Sequence, residues 1–225
     1  RQGPGVPSPP RGGIPARFFE PTGPRGARIP PTRHEAAAVH MADGYARATG
    51  RPGVAIVTAG PGVTNAITGI ANAYMDAIPL ICIAGRSPIR DDDRMPLQGI
   101  DQIGLVAPIT KFARTVLQPE RIAEYLVMAW RHATSGRPGP VFLDIPIDVL
   151  FTPIAEGSVP SLSRHEPERR SVPPAESLDA ALDLLERAER PAIFAGGGAW
   201  FSGAQEELRQ FAALTCTPVF ANSKA

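Results

Sequence analysis

The sequence lacks the features typical of disulfide-bonded, membrane-spanning or secreted proteins. Cysteine occurs only twice in 225 residues, at Cys82 and Cys216. Each lies in an apolar run without metal-ligand spacing, which favours free thiols in a reducing compartment. No apolar run approaches the roughly 18 residues of a membrane-spanning helix, and the N-terminus has no apolar stretch typical of a signal peptide. We therefore expect a soluble, cytoplasmic protein without a membrane partner.

An excess of either charge is also absent. The chain has 23 Lys and Arg residues against 22 Asp and Glu residues, which gives a formal net charge of +1. Proteins that bind nucleic acid usually carry a basic patch or a strong positive balance, because the phosphate backbone dominates their affinity. We expect no nucleic-acid partner, and a small-molecule ligand fits this composition better.

Several familiar motifs are incomplete. His34-Glu35 begins like the zinc motif H-E-x-x-H, but Ala38 occupies the second histidine position. Gly196-Gly197-Gly198 begins like a dinucleotide motif, but Phe201 stands at its sixth position, and a tight turn explains the glycines equally well. The acidic run 91–93 is typical of a solvated loop, since consecutive side chains point in different directions. We predict no metal site.

The composition divides the chain into four parts. Residues 1–32 contain nine of the 26 prolines, together with many Gly and Arg residues, and show no periodicity. Proline removes amide donors and fixes φ, so we predict an irregular segment there. Residues 152–174 have the proline-rich composition of a linker. The parts that remain, 33–151 and 175–225, are predicted to fold.

Residues 33–151 alternate between helical and strand patterns. Ala38, Met41, Tyr45 and Ala48 fall on one face of a helix, and an amphipathic helix follows around 122–133. Short apolar runs typical of buried parallel strands are found at 54–57, 79–84 and 141–145. The alternation predicts an α/β fold, a parallel-sheet three-layer sandwich. Residues 175–225 show the same alternation over a shorter length and predict an incomplete second α/β domain.

Six segments in fixed order carry a family resemblance. They are Arg33-His34-Glu35, residues 42–50, 58–65, 71–76 and 136–140, and Asp144-Ile145-Pro146. In this order they resemble the pyrimidine-binding domain of thiamine-diphosphate enzymes of the acetolactate-synthase type, over residues 33–151. Residues 175–225 are similar to the start of the central domain of the same family.

The resemblance gives Glu35 the main catalytic role. In such enzymes the equivalent glutamate hydrogen-bonds the N1′ nitrogen of the cofactor's aminopyrimidine and stabilises the imino tautomer that removes the thiazolium C2 proton. A positioned acid or base of this kind contributes roughly 10²- to 10⁴-fold to the rate. If the flanking segments are ignored, the alternative interpretation is that Glu35 is a helix-terminal carboxylate stabilised by the helix dipole.

The other expected site residues follow from the same resemblance. Gly60-Pro61-Gly62 is expected close to the aminopyrimidine, with Asn65 opening the next helix; a simple turn is the alternative. Gln98 and Lys111 match positions that face the substrate entrance, although surface residues of these types need no special role. His34 is more readily a packing residue than a catalyst.

The resemblance leaves the substrate open between two classes and does not support a second cofactor. The resemblance implies carboligation of a small 2-keto acid, as in branched-chain amino acid biosynthesis. Leu97 replaces the Phe of the synthases, and the form Leu97-Gln98-x-x-Asp101-Gln102 is equally similar to 2-hydroxyacyl-CoA lyases, which act on acyl-CoA substrates. Leu117 stands where flavin-binding synthases have an arginine, so FAD binding is doubtful.

The Gly-Asp-Gly…Asn-Asn motif, which holds Mg²⁺ and the diphosphate in this family, does not occur in the sequence. We therefore expect only the pyrimidine half of the thiamine-diphosphate site and no activity from this chain alone. A truncated product, one half of a split enzyme and a non-catalytic binding module are the alternatives. The expected partner is a second subunit or a diphosphate-binding domain, which would contact the helix bearing Gly69, Ala73 and Met75.

Overall fold

The computed structural model describes residues 30–155, 157–159 and 172–222. Nearly all of the predicted irregular segment and most of the predicted linker lie outside the described residues. The N-terminal unit, residues 30–155, contains four strands and five α-helices, besides short 3-10 turns. They are α1 (Glu35–Thr49), β1 (Gly53–Val57), α2 (Pro61–Asp76), β2 (Leu80–Arg86), α3 (Gln102–Val106), β3 (Phe112–Thr115), α4 (Ile122–Thr134), β4 (Pro140–Pro146) and α5 (Ile147–Phe151).

The four strands form one parallel sheet in the order β1-β2-β4-β3. Cys82 of β2 pairs with Ala55 of β1 on one side and with Phe142 of β4 on the other. Because all strands run in one direction, each connection must return across a face of the sheet, and the helices occupy those connections. The predicted parallel α/β fold is confirmed.

The core has two parts, one on each face of the sheet. Successive residues of a strand point to opposite faces, so Leu80 and Phe142 pack towards α1 and α2 while Ile81 and Leu143 pack on the other side. Both β2 and β4 are almost wholly buried. Helix α4 covers the second face with Ala129 and other residues. The arrangement is the three-layer sandwich that the alternation predicted.

The buried face of α1 differs from the predicted one. Val39, Ala42 and Ala46 are buried, whereas Met41 and Tyr45 are each about half exposed. The buried set includes small residues because α1 packs closely on both α2 and β1. Large apolar residues in the sequence therefore did not mark the face that enters the core.

Strand β3 was not predicted. Its sequence, Phe112-Ala113-Arg114-Thr115, is short and contains a charged residue, so it lacks the continuous apolar pattern of β2. The strand lies at the edge of the sheet and pairs with β4 alone, which leaves Arg114 exposed. Edge strands tolerate such residues because one side of the strand is not covered by another strand.

A charged cluster joins α1 to α2. Arg47 donates to Asp43 on its own helix, at 3.1 Å, and to Asp76 of α2, at 2.7 Å. Asn72 adds a hydrogen bond to Asp43. One guanidinium therefore satisfies carboxylates on both helices, which a lysine with a single ammonium would do less well.

The C-terminal unit, residues 172–222, contains two strands and three helices. They are α6 (Ala175–Arg187), β5 (Ile193–Ala195), α7 (Gly197–Phe201), α8 (Gln205–Thr215) and β6 (Val219–Ala221). β5 and β6 pair in parallel, as expected for a helix–strand alternation. Neither α6 nor α8 has a buried residue. This unit has the local structure of an α/β domain without an enclosed core.

Candidate functional site

Glu35 is the first residue of α1. The helix begins at this point because His34 adopts an extended conformation and its Nδ1 accepts a hydrogen bond from the amide of Ala36 at 3.2 Å. His34 is exposed, so its role is capping rather than the packing role expected from the sequence. The position places the Glu35 carboxylate near the positive end of a 15-residue helix, which favours its negative charge.

Asn65 of α2 contacts this carboxylate. Its Nδ2 donates to Glu35 Oε2 at 3.1 Å, across 30 positions of sequence. Among the described residues, no donor is paired with the other oxygen, Oε1. Asn65 is the fifth residue of α2 and does not open the helix, contrary to the expectation from the sequence. The N-terminal parts of α1 and α2 thus meet at the carboxyl edge of the sheet, with one oxygen of Glu35 fixed and the other free to bind a ligand.

Gly60-Pro61-Gly62 forms the turn between β1 and α2. Gly60 has φ 62° and ψ −108°, a conformation that side-chain-bearing residues rarely adopt. Pro61 begins α2, where its missing amide costs nothing. Gly62 is buried below Glu35, and a Cβ there would lie 3.5 Å from Glu35 Cγ and 2.6 Å from a methyl of Thr58. A side chain at position 62 would collide with Thr58, so the glycine lets α2 begin close to Thr58 and next to Glu35.

Gln98 lies against the same turn. A Cβ on Gly60 would come within 2.9 Å of the backbone of Gln98, so the 98–102 loop packs directly on the glycine. Gln98 itself has φ 65°, which is unusual for a residue with a side chain. The structure therefore brings together Glu35, Asn65, the glycine turn and Gln98, all predicted from the sequence.

Lys111 is placed elsewhere. It precedes β3, and its backbone amide donates to the carbonyl of Pro140 at the start of β4. Lys111 therefore lies at the amino edge of the parallel sheet, whereas Glu35 lies at the carboxyl edge. Its Nζ donates to the carbonyls of His132 and Ser135 at the end of α4, each at 2.6 Å. Burial, with a smaller contribution from Arg137, lowers the pKa of Lys111. In this structure the side chain caps a helix.

Two further polar residues at the carboxyl edge were given no role on sequence grounds. Gln102 is buried, and its Oε1 accepts from the amide of Gly60 at 2.7 Å. Its Nε2 donates to Asp144 Oδ2 and to the carbonyl of Gly85, both at 3.0 Å. Burial raises the pKa of Asp144, although Thr115, Gln102 and Arg86 act against that shift. The local sequence around Gln102, which follows Asp101, gives no sign that its side chain makes such contacts.

The remaining motifs show no second site. Within 30–155, 157–159 and 172–222, no group of three or more His, Cys, Asp or Glu side chains is arranged to hold a metal ion. In the acidic run, Asp92 pairs with Arg86 at 3.0 Å. Gly197 begins the short helix α7. No helix of the described part is long and apolar enough to cross a membrane.

Comparison with protein families identifies two domains in the chain. Residues 17–105, which include the Glu35–Asn65 pair and the glycine turn, match the N-terminal TPP-binding domain of thiamine pyrophosphate enzymes. Residues 178–225 match the central domain of the same enzymes. The chain therefore belongs to the thiamine pyrophosphate enzymes and carries their N-terminal domain and part of their central domain.

Within that family, the chain is similar to acetolactate synthase large subunits. It is 42% identical to the large subunit of Parasynechococcus marenigrum over 193 residues, which cover 83% of this chain and 31% of the relative. It is 42% identical to the isozyme 3 large subunit of Escherichia coli K12, over 83% of this chain and 33% of the relative. It is 43% identical to a probable acetolactate synthase large subunit of Methanocaldococcus jannaschii, over 84% of this chain and 32% of the relative. The chain spans about a third of the length of these relatives.

Proposed function

We propose that this chain binds the aminopyrimidine half of thiamine diphosphate, with Glu35 as the proton-exchanging group, and that it serves a carboligase of the acetolactate-synthase type. The observation that carries the proposal is the Asn65–Glu35 hydrogen bond at the helix ends, directly above a buried glycine. It combines one carboxylate oxygen that is fixed, Oε2, with a second, Oε1, that is available to a ligand. The family match over 17–105 supports the same ligand.

The residues present fit an aminopyrimidine. Glu35 is half-buried, so its carboxylate is accessible to a ligand yet partly shielded from water. Gly62 packs closely on Thr58 and adds no side chain of its own beside Glu35. A planar heterocycle with ring nitrogens needs a hydrogen-bonding carboxylate, which Glu35 supplies, and close access to backbone, which the glycine turn supplies.

Each residue then has a defined task. Glu35 exchanges a proton with a ring nitrogen through Oε1, while Asn65 keeps Oε2 in place and prevents the carboxylate from rotating away. The backbone of the glycine turn would lie against the ligand, and Gln98 packs on Gly60 of that turn. When bound, thiamine diphosphate supplies a carbanion-stabilising thiazolium.

The complete reaction is proposed to be carboligation of a small 2-keto acid in the cytoplasm. The names of the relatives support this choice. Mg²⁺ and the diphosphate group would be held by a diphosphate-binding domain on a longer chain or on a partner, since the described residues offer no metal cluster. FAD binding is not part of the proposal, because Leu117 lacks the charge expected at that position.

A second subunit or domain is the proposed macromolecular partner. Met75 of α2 is 68% exposed, and Met41 and Tyr45 of α1 are about half exposed, so these helices present apolar surface to a partner. Gly69 and Ala73, which were expected on that surface, are instead buried. Gly69 faces Val39, because α1 crosses α2 closely at that point. The contact is therefore proposed for Met75 and the α1 residues alone.

Replacement of Glu35 tests the proposed chemistry. The substitution Glu35→Gln is made in a longer protein that includes a diphosphate-binding domain, with Glu120→Gln, an exposed carboxylate away from the site, as the matched control. Turnover of a 2-keto acid should fall by about 10²-fold or more in the first variant and stay unchanged in the second. Thiamine diphosphate affinity should change much less. A loss of under about 3-fold would reduce Glu35 to a helix-terminal carboxylate.

A calorimetric titration tests the expectation of half a site. The 225-residue chain alone, with Mg²⁺ present, should bind thiamine diphosphate with a dissociation constant above about 10 μM. A tighter constant would show that this chain reaches the diphosphate as well as the pyrimidine.

The second candidate reaction is cleavage of a 2-hydroxyacyl-CoA. The loop sequence Leu97-Gln98-x-x-Asp101-Gln102 favours it, and Leu97 is 89% exposed beside the site, where it is free to contact a substrate. Parallel assays of the longer protein with a 2-keto acid and with a 2-hydroxyacyl-CoA decide between the two reactions. Turnover of the CoA thioester alone would replace the carboligase proposal.

A further inference from the structure

Gln102 is the most connected buried polar side chain at the carboxyl edge of the sheet. It is 2% exposed and forms three hydrogen bonds, to the amide of Gly60, the carbonyl of Gly85 and the carboxylate of Asp144. The Gly60 amide is a donor and the Gly85 carbonyl is an acceptor, so the orientation of the Gln102 amide is fixed by its partners. Both hydrogens of Nε2 are used.

These contacts link the ends of three strands. Gly60 follows β1, Gly85 lies near the end of β2, and Asp144 lies near the end of β4. Gln102 is the first residue of α3, whose start is capped by Asp101 through the amide of Gly104 at 2.8 Å. The cap fixes the helix start, and the helix start places the glutamine between the three strands.

The contact with Gly60 has the greatest consequence for the site. Gly60 is buried, and its amide donates to Gln102 rather than to a neighbouring strand. Without Gln102 this amide would be a buried donor with no acceptor, which is costly. The carbonyl of Gly60 in turn accepts from the amides of Val63 and Thr64, so the turn sets the first turn of α2.

Asp144 provides the fixed end of this chain of contacts. Its carboxylate is 1% exposed, and Oδ1 has no partner with normal hydrogen-bond geometry among the described residues. Oδ2 is therefore the oxygen through which Asp144 is held, and Gln102 is its donor. Thr115 lies opposite Asp144 in the β3–β4 pairing, and its hydroxyl is itself bonded by Arg86.

We propose that Gln102, anchored on Asp144 and Gly85, is a positioning residue that holds the Gly60 turn and so keeps Asn65 against Glu35. Gln102 touches no ligand in this scheme. It acts through the turn, because Asn65 lies in the α2 segment whose start Gly60 sets. The effect on cofactor binding rests on the proposed function, whereas the effect on the turn does not.

Hydrogen exchange of single amides tests the turn directly in the 225-residue chain. Gln102→Met keeps the length of the side chain and removes its polar atoms, and Gln118→Met is the control at an exposed glutamine. Exchange at Gly60 should become at least about 10-fold faster in Gln102→Met, because a buried hydrogen bond is lost. Amides of Ile83 and Leu143, in the buried strands, should stay within about 3-fold of the wild type.

Asp144→Asn is the conservative variant. It keeps an acceptor for Gln102, so Gly60 exchange should remain within about 3-fold of the wild type. Unchanged Gly60 exchange in Gln102→Met would overturn the proposal. So would equal acceleration at Gly60, Ile83 and Leu143, since Gln102 would then support the whole fold rather than the turn.

A cofactor titration separates this proposal from the proposed function. In the longer protein with a diphosphate-binding domain, Gln102→Met should weaken thiamine diphosphate binding by about 5-fold or more, while Gln118→Met should not. Fast Gly60 exchange with unchanged affinity would overturn the positioning role. If the wild-type longer protein does not bind thiamine diphosphate, the proposed function fails, and Gly60 exchange alone decides whether Gln102 holds the turn.

Discussion

Strands β4 and β6 occupy the same place in two helix–strand units, but their side chains have opposite surroundings. All seven residues of β4 are buried, between two strands and between layers of helices, whereas all three residues of β6 are exposed. Phe142 of β4 is fully buried, and Phe220 of β6 is 52% exposed although it stacks on Phe194. The same local pattern thus gives a core in one unit and none in the other.

The difference shows that a parallel sheet depends on coverage rather than on strand sequence. A parallel sheet is stabilised when its faces are packed and its central strands are paired on both sides, which a sheet of only two strands cannot achieve. The N-terminal unit has four strands with α1 and α2 on one face and α4 on the other. We therefore expect the two units to differ widely in reactivity, mutational cost and pH response.

The largest expected difference is in the reactivity of the two thiols. Cys82 is buried in β2, and burial raises its pKa to about 12, while Cys216 follows α8 and is exposed. At pH 8 a thiol reagent should modify Cys216 more than about 10³-fold faster than Cys82, since the thiolate is the reactive form. Cys216→Ser removes the fast phase in a control experiment. Two thiols of equal rate in the native protein would contradict the burial of β2.

Removal of one phenylalanine from each unit should change stability very unequally. Phe142→Ala leaves a cavity in the centre of the sheet and should cost about 3–5 kcal/mol of unfolding free energy. Phe194→Ala, at a residue that is 81% exposed, should cost under about 1 kcal/mol, mainly through loss of its stacking on Phe220. Urea denaturation followed by far-UV circular dichroism measures both. Equal costs would show that the C-terminal unit buries Phe194 in solution.

Removing an ion pair from each unit should give a smaller difference in unfolding free energy. Arg47 is 33% exposed and bonds carboxylates on two helices, whereas Arg187 is 76% exposed and pairs with Asp183 on its own helix. Arg47→Met should cost about 1–2 kcal/mol, because two partly buried carboxylates lose a charged donor. Arg187→Met should cost under about 0.5 kcal/mol. Thermal unfolding of the two variants side by side tests this, and reversed costs would refute the bridging role of Arg47.

The smallest expected effect is on the pH dependence of the free energy of unfolding. Burial raises the folded-state pKa of Asp144 above its usual 3.8, so the protonated form is favoured in the folded protein. Its contribution to stability is complete below pH 3.8 and is lost as the pH rises through the raised value, with a slope of at most about 1.4 kcal/mol per pH unit. Asp144→Asn should remove this decline. Glu206→Gln, at an exposed carboxylate paired with Arg209, should leave the decline due to Asp144 in place. A wild type and an Asp144→Asn variant with parallel curves would show that Asp144 does not titrate in this range.

The fold was predictable where strands are continuous apolar runs. The runs at 54–57, 79–84 and 141–145 correspond to β1, β2 and β4, which are the strands buried on both faces or covered by helices. β3 escaped prediction because an edge strand needs no continuous run. The helical face of α1 was misassigned because close packing selects small residues such as Ala42 and Ala46, while Met41 and Tyr45 stay at the surface.

The site was predictable only in part, for a related reason. Glu35, Asn65 and the glycine turn belong to segments whose order resembles a known family, and the structure places them together. Gln102 was missed because its three contacts come from residues 17 to 42 positions away, and no local pattern records them. Lys111 was assigned to the same edge as Glu35, but the direction of β3 puts it at the other edge of the sheet.

The helix cap made by Lys111 also affects how reagents that acylate lysine react with the protein. Lysine occurs in this sequence only at Lys111 and Lys224, so arginine carries almost all of the positive charge. Acetyl donors and amine-directed cross-linkers do not modify guanidinium groups under the conditions in which they acylate lysine. An acylating reagent must free the Lys111 ammonium from the carbonyls of His132 and Ser135 before it reacts there. Cross-linking maps of this chain will therefore require carboxyl- or thiol-directed reagents.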